Sequence, residues 1–259
     1  QIRRDIVRMV AAVSSGHPGG SLGCADFLTL LYFDTLKHDP KNFTMDGKNE
    51  DLFFLSNGHI SPVWYSVLAR AGYFPVADLS TFRKLSSKLQ GHPSTDKKLP
   101  GIRMASGSLG QGLSVGIGAA QAKKLNNDKS YVYTLHGDGE LQEGQIWEAA
   151  MYASAQKVDN LIAVVDYNGR QIDGDLDDVL PLGNLSDKWK AFGWQCKKIS
   201  GHDFNDLSLI SAESEGSSPI VYIADTNKGR GVSFMKDNIV WHYRSPSSED
   251  LAKALLELE

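Results

Sequence analysis

Cysteine is scarce in this chain. Its 259 residues hold only Cys24 and Cys196, with no CxxC pair. That excludes a disulfide scaffold and leaves zinc or iron–sulfur sites with little support. The two thiols stand far apart in apolar stretches, as expected of reduced, structural cysteines in a cytosolic protein. Long basic runs are also missing. Nothing exceeds a pair such as Lys97-Lys98, and the net charge is −4, so no nucleic-acid footprint is present. No uninterrupted apolar run has bilayer-spanning length, and no apolar signal core opens the sequence, which argues against a membrane partner. The first residue is Gln1 rather than Met, which leaves room for an upstream segment. Repeats and low-complexity linkers are absent.

What remains is an ordinary globular composition, 41% hydrophobic and 22% charged. The pattern alternates helices and short apolar strands. Helices are expected at 2–13, about 24–36, 61–72, 78–85, 110–125 and about 142–156, with a terminal helix reaching Glu259. His17-Pro18-Gly19-Gly20-Ser21 reads as a Gly-rich turn. Strands are expected at Asp51–Leu55, Tyr131–Leu135, Leu161–Asp166, Trp194–Ile199 and Ile220–Ala224. Short apolar strands flanked by helical segments imply an α/β fold, a parallel β-sheet with helices on both faces. Residues 1–259 read as one domain. The Ser/Gly/Pro/Lys-rich stretch 86–108 is long enough without structure to suggest function. Lys97-Lys98 and Lys123-Lys124 read as solvated charges, and the small residues of 110–125 as close packing.

The chemistry concentrates where the strand at 131–135 runs into His136-Gly137-Asp138-Gly139-Glu140. An Asp between two glycines at a strand end is exposed on a tight turn, where backbone can approach a ligand closely. The helix that follows offers N–H groups to an anion. The next strand ends in Asp166-Tyr167-Asn168-Gly169, so Asp138 and Asn168 stand at neighbouring strand ends of a βαβ unit. One carboxylate, one amide oxygen and a backbone carbonyl suit a hard cation such as Mg2+ bridging to phosphate. The plainer reading, a turn and a cap, is even for Gly137-Asp138-Gly139 alone. It recedes once Asn168 and Gln171-Ile172-Asp173-Gly174 are counted.

The run from Gly137-Asp138-Gly139-Glu140 through Trp147-Glu148-Ala149 to Asp166-Tyr167-Asn168 resembles the thiamine diphosphate motif of transketolases. So, in the family's order, do Ser15-Gly16-His17-Pro18-Gly19-Gly20, Ser56-Asn57-Gly58-His59, Gln90-Gly91-His92-Pro93, Ser106 to Gly112, and Lys228-Gly229-Arg230-Gly231 with Trp241-His242. The resemblance spans essentially the whole chain. It implies the thiamine diphosphate-binding fold of the family and, by position, a set of site residues. Asp138, Asn168 and the carbonyl of Arg170 would ligate Mg2+ (or Ca2+ or Mn2+). Gly139, His59, Lys228 and His242 would meet the diphosphate. Gly107, Ser108 and Leu109 would lie along the cofactor rings, with Ile172 as an apolar contact. Glu143 and Glu148 resemble acids that link two cofactors across a dimer.

His17, His59, His92 and His242 occupy family positions around the reacting carbon and the sugar hydroxyls, where imidazoles can protonate an alkoxide and remove a hydroxyl proton. His38, His136 and His202 read as structural. Tyr243 departs from the family, which commonly has Gly after this His, and Arg170 stands where an apolar residue is usual. The implied activity is two-carbon ketol transfer, for example from xylulose 5-phosphate to ribose 5-phosphate in the pentose phosphate pathway. The family's pyrimidine-binding half has no counterpart in this sequence. The expected state is therefore a cytoplasmic α2β2 assembly with a separately encoded C-terminal subunit; the other option is a piece of a longer chain. Alternatives stay open: a transketolase for an unusual sugar, another thiamine enzyme such as a deoxyxylulose phosphate synthase or 2-oxo acid dehydrogenase subunit, or a binding module without catalysis. The histidines at 17, 59 and 92 favour ketose chemistry.

Overall fold

A computed structural model describes residues 1–210 and 217–259. Its core is a parallel sheet of five strands: β1 (Leu52–Leu55), β2 (Val132–Gly137), β3 (Leu161–Tyr167), β4 (Gln195–Ser200) and β5 (Ile220–Asp225), in the order β1-β2-β3-β5-β4. All five expected strands form. Because neighbours are parallel, every strand's carboxyl end faces the same edge. The register pairs Leu55 with Leu135 and Gly137 with Asp166, so the ends of β1, β2 and β3 lie side by side.

β1, β2, β3 and β5 are apolar on both faces because both faces are covered, whereas the edge strand β4 exposes Lys197 and Lys198. Phe53, Leu55, Tyr133, Leu135, Ile162 and Val164 pack into one buried cluster with helices α1 (Ile2–Val13), α2 (Pro18–Gly23), α3 (Ala25–Leu30) and α4 (Ser61–Arg70). Leu52, Phe54, Val132, Leu161, Ala163 and Val165 turn the other way, toward α5 (Gly112–Leu125), α6 (Gly144–Ala155) and α7 (Leu185–Ala191). The period of two along each strand thus sorts side chains between layers. Trp64 and Trp189, one in each layer, are fully buried. At about 25 cal/mol per Å2, a buried Trp contributes roughly 4–6 kcal/mol. The chain closes with α8 (Ser248–Glu257), started by a capping box between Ser247 and Asp250. Among the described residues no helix is long and apolar enough to cross a membrane.

Several expectations are corrected. The Gly-rich stretch after His17 is a buried helical turn, α2, with Pro18 in its first turn. Its glycines serve close approach: a Cβ on Gly19 would stand 2.8 Å from Lys228 Cγ and 2.9 Å from the Trp241 carbonyl. The helix expected at 24–36 changes to a π-turn over Leu31–Thr35, and that at 78–85 is a short 3-10 segment, Val76–Thr81. The latter ends before Arg83, which takes a left-handed conformation (φ 56°). Lys123 is not solvated. It is buried and its Nζ bonds Asp128 at 2.9 Å and the Gly47 carbonyl at 3.1 Å. Lys124 remains at the surface. Helices 61–72, 110–125 and 142–156 form, each trimmed by one to three residues at an end.

Candidate active site

The loops after β1, β2, β3 and β5, with the N-terminal end of α2 and the segment around His92, enclose a cavity of about 360 Å3. Ligands bind outside strand carboxyl ends in open α/β sheets. Of the expected site residues, His17, His59, His92, Gly107, Leu109, Asp138, Gly139, Glu143, Asn168, Arg170, Ile172, Lys228 and His242 line it. Ser108 is exposed outside the lining, and Glu148 lies on the solvent face of α6.

Asp138 sits at the floor, 2% exposed. Its Oδ2 accepts N–H bonds from Asn168 (2.8 Å) and Gly169 (2.6 Å), and its Oδ1 accepts from Gly139 (2.8 Å). The turn after β2 is thereby tied to the turn after β3. Burial and the neighbouring Asp166 carboxylate push Asp138 up to about 6, against the backbone donors and Lys228. Asp166 is itself buried, and it accepts from Thr226 Oγ1 and from Asn168 Nδ2 at 3.0 Å. Asn168 Oδ1 faces the Arg170 N–H at 3.2 Å. Two buried carboxylates with one nearby ammonium make a site short of positive charge. A divalent cation held by Asp138, the Asn168 amide oxygen and the Arg170 carbonyl would correct that deficit, so the donor set fits Mg2+. Among the described residues no group of three or more His, Cys, Asp or Glu side chains is arranged to hold a metal. A set with one carboxylate among its protein ligands is not of that kind.

Two of the expected anion donors make bonds within the protein. The Gly139 N–H meets Asp138. The buried Lys228 ammonium donates to the Arg170 carbonyl (2.8 Å) and to His242 Nδ1 (3.1 Å). An incoming diphosphate would compete for both donors.

Three histidine rings meet at the centre. Ring centroids are 5.2 Å apart for His17–His59, 5.3 Å for His17–His242 and 5.3 Å for His59–His242. Burial pushes His59 down to about 3, with His242, His17 and Lys228 adding to it. Burial, Lys228 and His17 take His242 to about 3 as well. His17 is lowered chiefly by burial, against its bond to the His242 carbonyl. All three are therefore neutral imidazoles at neutral pH. For His17 and His242 the partners set the tautomers. His17 Nδ1 lies 2.7 Å from the His242 carbonyl, which only accepts, so Nδ1 carries the proton and Nε2 is bare. His242 Nδ1 receives the Lys228 ammonium, so its proton is on Nε2. His92 stands at the mouth against Gly107, where a Cβ would come within 2.9 Å of its ring.

Structural positions account for the other histidines. His38 bonds the Tyr73 hydroxyl and the Tyr32 carbonyl, and His202 bonds Asp26 and the Asn227 N–H. His136 is buried beside Thr134 and Glu140.

Glu140 and Asn57 stand inside the motifs, yet no role for either follows from sequence. The buried Glu140 carboxylate accepts from Ser56 Oγ, the Gly110 N–H (2.9 Å) and the Gly137 N–H (3.1 Å). One side chain thus ties together the β1 loop, the Gly107–Gly110 strip and the β2 turn. Burial opposes its ionisation, but His136 and these donors hold it below the usual carboxylate range. Asn57, 1% exposed in the cavity wall, has a buried Oδ1 without a partner among the described residues. The i,i+4 pair His136/Glu140 was the one available signal for the first; nothing in the sequence marks the second.

Comparison with known proteins bears on the family and the fold. The family described as "Transketolase, thiamine diphosphate binding domain" matches residues 1–253. The chain is 38% identical over 260 residues to a 6-deoxy-6-sulfo-D-fructose transketolase subunit of Clostridium sp. (strain MSTE9), covering 100% of this chain and 94% of that one. It is 40% identical over 261 residues to an apulose-4-phosphate transketolase subunit of Actinobacillus succinogenes, covering 100% and 93%. A crystal structure of a transketolase from Campylobacter jejuni superposes with a TM-score of 0.90 at 34% identity, over 99% of this chain and 41% of that one.

Proposed function

The chain belongs to the transketolase family as its thiamine diphosphate-binding part, and we propose that all of residues 1–259 form one domain acting as the N-terminal subunit of a two-subunit transketolase. With a pyrimidine-binding partner subunit, in an α2β2 assembly, it transfers a two-carbon ketol unit from a ketose phosphate to an aldose phosphate. The unit acts in the cytoplasm, a reading supported by two unbridged thiols. The observation that carries the proposal is one cavity in which a charge-deficient Asp138/Asn168/Arg170 floor adjoins neutral imidazoles of opposite tautomer.

Asp138, Asn168 and the Arg170 carbonyl would hold Mg2+, and Gly139, His59 and Lys228 the diphosphate, with His242 orienting the Lys228 ammonium. Gly107, Leu109 and Ile172 would line the rings, while Glu143 and Glu148 would face the second site of the assembly. Bound thiamine diphosphate supplies the carbon nucleophile and the electron sink for carbon–carbon cleavage. The protein moves the protons. His17 Nε2, bare, accepts a sugar hydroxyl proton, and His242 Nε2–H donates to an alkoxide. His92 and His59 hold the hydroxyls that orient the chain of the sugar. The partner would supply the acid for the aminopyrimidine, the aromatic face beneath it and the arginines for the sugar phosphate.

A variant of this reading concerns the donor sugar. The relatives named for a sulfonated fructose and for apulose 4-phosphate match nearly end to end, which supports a donor outside the common pentose phosphates. The test is cofactor titration and transfer assay of the reconstituted pair. Asp138→Ala should abolish Mg2+-dependent cofactor binding, and His92→Ala should spare binding but remove most transfer. Unchanged calorimetric affinity in the first, or full activity in the second, would overturn the assignments.

A further inference from the structure

Arg83 stands behind the cavity, outside its lining, between the two outer histidine loops. Its backbone is left-handed (φ 56°), held by its own N–H bonding the Leu89 carbonyl at 2.8 Å. A non-glycine residue accepts that conformation only where the surroundings impose it. From there the guanidinium reaches two segments. Nη1 donates to Ser15 Oγ at 2.7 Å, two residues before His17. It also lies against Gly91, immediately before His92, where a Cβ would come within 2.7 Å of Cζ and Nε. The Gly91 carbonyl is pinned from the other side by Ser61 Oγ at 2.7 Å, and that of Gln90 by the Tyr65 hydroxyl at 2.9 Å. Arg83 Nε is buried without a hydrogen-bond partner, and no carboxylate pairs with this guanidinium among the described residues.

We propose that Arg83 is a positioning residue: its guanidinium clasps the His17 loop to the His92 loop and presents an uncompensated positive charge to both rings. This rests on the reading of His17 and His92 as the groups that handle the sugar. A clasp fixes the distance between two loops that share no sheet register, which is what orientation of a substrate requires. The charge acts in the same sense. The titratable and charged groups facing His17 are Arg83, His92, Lys228, His59 and His242; those facing His92 are Arg83 and His17. After burial, Arg83 contributes to holding both rings below the ordinary histidine range, and hence neutral and ready to accept a proton.

Two variants separate the clasp from the charge. Arg83→Lys keeps the charge without the fork, and Arg83→Met keeps the stem without the charge. In the chain alone, ring titrations followed by NMR should move upward by roughly half a pH unit for His17 and His92 in Arg83→Met and stay in place in Arg83→Lys. In the pair reconstituted with the pyrimidine-binding half, both variants should lose about tenfold or more in kcat with cofactor affinity unchanged. The acid limb of the pH profile should shift upward in Arg83→Met alone. Unmoved ring titrations in a folded Arg83→Met overturn the charge effect, and wild-type kcat in Arg83→Lys overturns the clasp. His92→Ala, run beside them, distinguishes the failures. If it is fully active, the catalytic reading falls; if it is inactive while the Arg83 variants behave as wild type, only this inference falls.

Discussion

Replacing Asp138 by Asn should stabilise the cofactor-free chain at neutral pH, although Asp138 is central to the site. The carboxyl is held at about 6 instead of its ordinary 3.8, because it is buried beside Asp166. Between those values the folded chain binds a proton that the unfolded chain has released. Stability therefore falls as pH rises through this window and stays low above it. Integrated fully, the gap is worth about 3 kcal/mol, of which about 2 kcal/mol lies between pH 4.5 and 7.5. Asn keeps an oxygen for the Asn168 and Gly169 N–H groups but loses the acceptor for Gly139. That loss costs about 1 kcal/mol at every pH. Urea denaturation of both proteins, fitted with a common slope, isolates the difference. The variant should gain about 2 kcal/mol relative to wild type on going from pH 4.5 to 7.5, and be the more stable protein at 7.5. A difference that does not change with pH would refute the claim that this carboxylate is held under a charge deficit. Titrating groups that are not coupled to Asp138 are common to both proteins and cancel.

Three further outcomes follow from the same geometry. His59 and His242 are both depressed to about 3, so their contribution to stability is complete above the ordinary histidine value and is lost as pH falls from there toward 3. His242→Gln should flatten that acid loss in a pH series of thermal melts. Glu140→Gln sets an amide NH2 against one of the N–H groups that the carboxylate now accepts. It should destabilise the chain by about 1–3 kcal/mol by urea denaturation and weaken cofactor binding in the reconstituted pair. Gly58→Ala drives a methyl into Ser106 and the Gly107 backbone, 2.8 Å from the Gly107 nitrogen. It should cost about 1–3 kcal/mol by the same measurement and lower cofactor affinity.

The sheet was legible because β1, β2, β3 and β5 are buried on both faces and so read as short apolar runs between helices. The adjacency of Asp138 and Asn168 was legible because Gly137-Asp138-Gly139 and Asn168 end successive strands. Other features depend on contacts that no local pattern records. Gly19 and Gly20 looked like a turn, yet they are small because Trp241, Lys228 and Ile60 press against them. Lys123 looked solvated because its partner, Asp128, and the Gly47 carbonyl meet it only in the folded chain. Glu140 was an unremarked letter of a motif until three loops converged on its carboxylate. Arg83 lay in a stretch expected to be helical, and only the left-handed break after Thr81 turns it toward Ser15 and Gly91.

The most direct test of the functional claim is two-carbon transfer by the reconstituted pair. The chain would be mixed with the pyrimidine-binding subunit, Mg2+ and thiamine diphosphate, and offered xylulose 5-phosphate, sulfonated and branched ketoses in turn, each with an aldose phosphate acceptor. Product two carbons longer than the acceptor, dependent on both subunits and lost in His17→Ala and His92→Ala, is the expected result. Saturable cofactor binding with no transfer from any ketose would contradict it.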